Sequence, residues 1–598
     1  MKHSLSIRTS HRARPSTLRW LLAAGVFAPT VLLSSQGCDA IVDATADSCT
    51  SDEECVNYEN SVCDATTSKC VSVDKCQSND ECPDDQICRH FSPRTCISLK
   101  TPIASDPSNT ASLEPSCTAI YPDDPAVWRD DSTFLIGVTA PLSGYDATDT
   151  LVPVSTGDAI KNGAIMAVDE INDKGGINNT HKLALVLCDD YGERNFAENN
   201  GLALADMGVL TMIGAAYSGQ TIDMATKSGV QAVGTVDRDV LSMSPSATSP
   251  DISGIADTSP SCLAGCNGDQ SCDDACPDLV WRTSPSDEIQ SKALVAYFKE
   301  LEPIIKNRTT TPETSIKVTV LHKGDSYGKN LAKFITDGLS FNGKKANVQT
   351  AAFKVHDYGE SATADQAMID LTLGEQPDAI LLFGTDEVGD IIPKIEAGWT
   401  GAADTRPYYL LSDGGLVTCS GSDTCVLDKI VTAGAQARVR GTIPGTESPI
   451  FQNFVAAYGM AFPTAVGGGQ TFGAAGAYDS VYLFAYAAVA AGDNALTGAE
   501  IARYLPLTAS TEPTAQVVEA GPLFFGPASN DLQNGTGINY EGASGPLDFD
   551  LRYGEAPSDI QVWCAISKSE GPFSNRYYDA KTGTMKGTLD PGDGTCPF

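Results

Sequence analysis

Two adjacent carboxylates, Asp189 and Asp190, follow an apolar run at Leu183–Leu187 and are the first residues whose type and spacing could do chemistry. A carboxylate pair can hold a metal or divide acid–base work, and the carboxyl edge of a sheet is where open α/β folds place ligands. Nothing else in the chain joins the pair as a catalytic set. There is no GxSxG elbow, no HExxH motif and no phosphate-binding P-loop. The six histidines, His3, His11, His90, His181, His322 and His356, belong to no recognisable motif. No catalytic residue, metal or cofactor is therefore called, and binding rather than turnover is the expected function.

The elements that would position such groups alternate as in a parallel sheet covered on both faces. Ile160, Ala164, Ala167, Val168 and Ile171 fall on one helical stripe. Gly175 and Gly176 then end the helix, since glycine tolerates the left-handed backbone of a cap. With Phe134–Ala140 before it and Leu183–Leu187 after it, this helix makes a βαβ unit. Strands are expected at 134–140, 183–188, 209–213 and 240–244, with helices between them. Near Val280-Trp281-Arg282-Thr283 the pattern restarts, with a helix at about 287–301 and strands at Ile316–Leu321, Asp378–Gly384 and Tyr408–Leu411. A third section brings an apolar helix at 473–491 and a strand-like GPLDFD at 545–550. Phe472–Leu496 is the most apolar candidate for a membrane span, but it contains Asp479 and Asp493 and reads as a buried helix.

The wording of these elements resembles the type I periplasmic solute-binding proteins, and within them the leucine/isoleucine/valine-binding branch. PLSG at 141–144, a helix ending DEINDKGGI and a strand ending DD resemble that family's opening. TMIGAAYSGQT (211–221), SMSPSATSP (242–250), VWRTSPSD (280–287), HKGDSYGKNLA (322–332) and AYDSVYLFAYA (477–487) follow in the family's order. The resemblance implies an α/β fold of two Rossmann-like βα lobes joined by hinge crossings, over residues 133–568. Lobe one would take about 133–282 and 442–557, and lobe two about 284–441 and 558–568. It implies a small ligand, an amino acid above all, held between the lobes, and structural capping for Asp189 and Asp190.

The resemblance also implies site residues. Ser218, Ser246 and Thr248 match the family's donors to a ligand carboxylate. Tyr327 matches an aromatic that lies against the ligand, and Asp413 the acid that accepts its ammonium. Thr385 and Asp386 line the same edge. Four have a structural alternative: turn chemistry beside Pro245 and Pro250 for Ser246 and Thr248, packing for Tyr327, and a turn before Gly414-Gly415 for Asp413. Two departures bear on ligand identity: a long loop at 144–157, and an insertion at 261–276 whose cysteines, 262, 266, 272 and 276, are expected to staple it internally. Cys419 and Cys425 are expected to close another small loop, while Cys117, Cys188, Cys564 and Cys596 are left unassigned.

The first 37 residues read as a signal peptide, with Lys2, Arg8, Arg12, Arg14 and Arg19 preceding the apolar run Trp20–Leu33. They lead into SSQGC, which resembles a lipobox with Cys38 as the acylated cysteine; residues 38–48 would follow as the lipidated N-terminus. The expected setting is the cell envelope, with the protein lipid-anchored and facing the periplasm or exterior. Nineteen cysteines suit an oxidising compartment, and setting Cys38 aside leaves an even number. Residues 49–100 form a duplicated module: Cys49, Cys55, Cys63 and Cys70, then Cys76, Cys82, Cys88 and Cys96. Too poor in apolar residues to bury a core, it depends on cross-links and is expected to act as a stalk or spacer. Residues 101–132 read as a Pro/Ser linker and 569–598 as a C-terminal extension. The net charge of −36 argues against nucleic acid or anionic lipid as the main partner. An ABC permease is the expected protein partner. A ligand-sensing surface receptor and a structural surface component are the alternatives.

Overall fold

The computed structural model describes residues 61–64, 69–72, 75–89, 94–100, 116–145, 150–226, 234–266, 270–273, 275–308, 314–360, 366–417, 425–445, 448–492, 496–510, 512–565 and 573–588. The expected signal segment, Cys38, Cys419 and Cys596 lie outside them. The chain divides into two compact units, residues 1–71 and 72–598. At the end of the first, Ser61–Asp64 and Lys69–Ser72 pair as a two-stranded sheet, and Cys70 is disulfide-bonded.

The second unit holds two sheets. The first is built from β1 (Cys117–Tyr121), β2 (Phe134–Ala140), β3 (Leu183–Asp189), β4 (Thr211–Ile213), β5 (Leu241–Ser244) and β6 (Val280–Arg282), in the order β6-β5-β4-β2-β3-β1. The second contains β7 (Val318–His322), β8 (Phe353–Asp357), β9 (Ala379–Phe383), β10 (Tyr408–Leu411), β11 (Val439–Pro444), β12 (Ile560–Cys564), β13 (Phe573–Asp579) and β14 (Thr584–Lys586). Its order is β8-β7-β9-β10-β11-β12-β13-β14. Strands β2 to β6 are parallel, as are β7 to β11. Each parallel set runs 2-1-3-4-5 in its own chain order. Each therefore reverses direction once, between β2 and β4 in lobe one and between β7 and β9 in lobe two. Ligands in such sheets bind outside the carboxyl ends of the strands at that switch point. Two such points facing one another define a cleft.

The helices that matter for the cleft are α1 (Ser155–Asp173), α2 (Arg194–Met207), α3 (Ser218–Ala225), α4 (Asp287–Asn307), α5 (Ser326–Gly338), α6 (Val388–Gly398) and α7 (Ala474–Ala491). The apolar helix at 473–491 is α7, buried along almost its whole length in lobe one. Its Asp479 is satisfied rather than lipid-facing: it accepts from Tyr540 Oη (2.8 Å), Ala543 N (3.0 Å), Ser544 N (2.7 Å) and Ser544 Oγ (2.6 Å). Helix α1 lies directly against α7, and a Cβ on Gly163 would stand 2.2 Å from Ala474 O. The chain leaves lobe one after β6 and returns after β11. At the first crossing, buried Arg282 donates to Ala247 O (3.3 Å), Ser249 O (2.7 Å) and Ser253 Oγ (2.8 Å), and pairs with Glu555.

Three stretches differ from their sequence readings. Cys117–Tyr121, within the expected linker, is the antiparallel edge strand β1, joined to β3 by the Cys117–Cys188 disulfide. Part of the expected C-terminal extension forms β13 and β14, which widen the second sheet. GPLDFD at 545–550 is not a strand: isolated bridges join Glu541 to Pro546 and Asp550 to Glu555. Its alternation is real, with Leu547 and Phe549 buried, but a chain laid along a core can bury every second residue without a ladder partner.

The second cysteine-rich copy is closed by Cys76–Cys88 and Cys82–Cys96. It docks on lobe one instead of standing off as a spacer. Arg129 donates to the carbonyls of Asn79 (2.8 Å), Cys82 (3.2 Å) and Gln86 (3.0 Å), and also to that of Pro83. Ile87 and Leu99 share a buried cluster with Trp128 and Leu135. In the insertion, Cys262–Cys276 and Cys266–Cys272 staple the segment on itself, as expected. No described helix is long and apolar enough to cross a membrane.

Candidate functional site

The carboxyl ends of β4 and β5 supply the lobe-one side. Ser218 begins α3, so its hydroxyl lies beside backbone N–H groups left unpaired by the helix. Ser218 Oγ accepts from Ser249 N at 3.1 Å, which orients the hydroxyl. Ser246 Oγ donates to Ala216 O at 2.7 Å. From lobe two come the ends of β7, β9 and β10. Asp325 caps α5 by accepting from Gly328 N at 2.9 Å, and Tyr327 projects from the first turn of that helix. Tyr327 Oη donates to Asp413 Oδ1 at 2.8 Å and lies 2.6 Å from Ser412 Oγ.

Between the lobes is a small cavity lined from both sides. Thr156, Ser218 and Ser246 line it from lobe one, and Asp325, Tyr327, Thr385 and Asp413 from lobe two. Ala216, Leu416, Val417 and Phe472 supply apolar wall. Five sequence-predicted residues, Ser218, Ser246, Tyr327, Thr385 and Asp413, thus meet around one space. Thr248 and Asp386 do not line it. Thr248 is buried beside Asp287. Asp386 is turned across the cleft, where its Oδ2 accepts from Thr156 Oγ1 (2.9 Å) and Tyr217 Oη (3.2 Å).

The electrostatics divide the floor into two groups. Burial pushes the Asp413 carboxyl up to about 6, against the hydrogen bonds from Tyr327 and Gln290 that favour its charge. Burial also raises Asp287, and the nearby Asp413 raises it further. A few residues away, burial opposes the charge of Lys323, but Glu387, Asp325 and Asp386 outweigh it and hold the ammonium above its ordinary range. Lys323 Nζ donates to Thr385 Oγ1 at 3.2 Å, and Thr385 Oγ1 donates to Glu387 Oε2 at 2.7 Å. Lys323 is therefore already balanced by protein acids, while Asp413 has only neutral hydrogen-bond donors. The Ser218 hydroxyl on one wall and an acid on the other can hold a small zwitterion: a donor for a carboxylate, an acceptor for an ammonium.

Sequence reasoning did not single out Thr156, Tyr217, Asp287, Lys323, Asp325 or Glu387. All but Thr156 and Glu387 lie inside motifs that were legible, such as HKGDSYGKNLA and VWRTSPSD. What was missing was which members of each motif point at one another. Asp189 and Asp190 cap the turn after β3: Asp189 accepts from Tyr191 N (2.9 Å) and from Ser143, and Asp190 from Gly192 N (2.9 Å). The clustered cysteines 76, 82 and 96, and 262, 266 and 276, are tied up in disulfides and offer no thiolate to a metal.

The sequence profile of the periplasmic binding protein family matches residues 133–562. The Leu/Ile/Val-binding protein BraC3 of Rhizobium johnstonii is 30% identical over 212 residues, 35% of this chain and 44% of that protein. The Leu/Ile/Val-binding protein homolog 3 of Brucella melitensis is 28% identical over 201 residues, 33% of this chain and 41% of that one. The chain thus spans less than half the length of these curated relatives. Among solved structures, the substrate binding protein LivJ from Streptococcus pneumoniae, in complex with isoleucine, is 20% identical. Its TM-score is 0.49, over 73% of this chain and 97% of that one. A solute binding protein from R. palustris, in complex with benzoate, is 13% identical with a TM-score of 0.49, over 74% of this chain and 95% of that one. By the match across residues 133–562, the chain belongs to the periplasmic binding protein family.

Proposed function

We propose that this protein captures an amino acid, or a similar small polar solute, between its two lobes and delivers it to an ABC permease. The observation that carries the reading is the cavity at two facing switch points, with the Ser218 and Ser246 hydroxyls on one side and Asp413 on the other. In this reading Ser218 donates to the solute carboxylate, Ser246 does so once its hydroxyl turns from Ala216 O, Asp413 accepts the ammonium, and Tyr327 and Thr385 close the lobe-two wall. Membership of the family supports an extracytoplasmic setting, and a lipid anchor at Cys38 would keep the protein on a membrane surface. A sensing receptor of the same fold is the second reading, favoured by the cysteine-rich copy docked on lobe one, which gives a partner a rigid surface to engage.

The test is direct binding. The full chain, purified from an oxidising compartment, is screened by thermal shift against the amino acids and benzoate, with calorimetry on each hit. A solute at a hundredfold its Kd stabilises the bound form by about 2.7 kcal/mol. Ser218→Ala is expected to weaken binding about tenfold, through one lost hydrogen bond. Asp413→Ala is expected to weaken it by about a hundredfold or more, because the ammonium loses its buried counter-charge. Folded, ligand-free protein that binds none of the panel would overturn the amino-acid reading.

A further inference from the structure

Asp386 stands at the carboxyl end of β9 but is not part of the cavity wall. Both groups that donate to it belong to the other lobe, Thr156 and Tyr217, 230 and 169 positions away along the chain. The same Tyr217 ring is faced by Lys323 of lobe two, whose Nζ is 4.5 Å from the ring centroid. Tyr217 is thus gripped twice from across the cleft, at its hydroxyl by a carboxylate and at its face by a cation. Arg194–Glu360 (3.2 Å) and Asn330–Asp251 (2.8 Å) also bridge the lobes, but they are more exposed and screened by water. Lys323 is buried and the two hydrogen bonds to Asp386 are partly buried, so both contacts are less screened than the exposed pairs.

We infer that Asp386, Tyr217, Thr156 and Lys323 form a latch that holds the two lobes closed through protein–protein contacts alone. The latch sets how much of the closed state exists before a solute arrives. Apparent solute affinity scales with that population, so Asp386, which does not line the cavity, tunes binding. The inference goes beyond the solute-binding reading and holds without it, because the latch acts on the ligand-free protein.

The experiment uses the full chain with no added solute. Small-angle scattering gives the radius of gyration, and hydrogen exchange reports the amides of 214–218 and 384–388. In Asp386→Ala the radius of gyration is expected to rise, and exchange in both segments to quicken about tenfold, the shift that loss of two partly buried hydrogen bonds gives. Asp386→Asn, which keeps the size and an acceptor, should fall between. Unchanged values in Asp386→Ala overturn the latch. Should that variant lose its circular dichroism spectrum, Thr156→Ala and Tyr217→Phe decide instead, each removing one donor. A partial opening in either supports the latch, and wild-type values in both overturn it.

Discussion

Asp413 is the residue where structure and pH dependence meet. Its carboxyl is fully buried against neutral donors, so burial raises its titration to about 6 from an ordinary 3.8. The folded, solute-free protein therefore holds a proton at Asp413 between about pH 4 and 6 that the unfolded chain has already released. By linkage this contribution to stability is full below pH 4 and is lost as pH rises through 6. An ammonium ligand reverses the sign, because it needs the carboxylate. Affinity for an amino-acid ligand is expected to be constant above pH 7 and to fall toward tenfold per pH unit below about 6. Calorimetry from pH 5 to 8 checks this, with Asp413→Asn flattening the profile. A wild-type affinity that does not move over that range would show that Asp413 is not the ammonium acceptor.

At the scale of elements, the lobe-one wall depends on how closely α1 can approach α7. Gly163 makes the approach possible, since a methyl there would press into the carbonyl of Ala474. Gly476, in the first turn of α7, similarly lies against Pro245 O, and the next residue along from Pro245 is Ser246 on the cavity wall. Moving α7 therefore moves the end of β5. Gly163→Ala is expected to destabilise by about 1–3 kcal/mol, the cost of overpacking a closed interface. Denaturant unfolding reads the loss, and a stability equal to wild type would mean that the helices separate freely. The βα elements themselves were legible. Phe134–Ala140 and Tyr408–Leu411 were bounded correctly because strands buried on both faces are apolar at nearly every position, Thr139 being the exception here.

At the scale of the molecule, the second cysteine-rich copy is part of lobe one. Its attachment centres on Arg129, whose guanidinium gathers carbonyls from Asn79, Cys82, Pro83 and Gln86. A planar fork with five donors suits that task, and lysine could not replace it. Arg129→Ala is expected to loosen the copy without unfolding the lobes, weakening its docking by about 2 kcal/mol. Trypsin cleavage at Arg89, Arg94 and Lys100 then quickens more than tenfold, because cleavage follows the population of the opened form. Cleavage rates equal to wild type would show that Ile87 and Leu99 hold the copy unaided. Cystine content announced this module in the sequence, but its few apolar side chains gave no sign of the surface they meet.

The sequence by itself determined the periods of most βα elements and which motifs lie at strand ends, though it read GPLDFD as a strand and missed the strands at Cys117–Tyr121 and Phe573–Asp579. These are local properties, written in side-chain type at spacings of two and of about 3.6 residues. Through the family resemblance it also carried the candidates Ser218 and Asp413, because the matching motifs are only a few residues long. Only the tertiary structure decided who faces whom. It made Cys117–Tyr121 an edge strand on β3, set Asp287 behind Asp413, and turned Asp386 away from the cavity toward Thr156 and Tyr217. Such pairings join residues up to hundreds of positions apart, and no local spacing encodes them. They follow from strand order and from the closing of one lobe on the other.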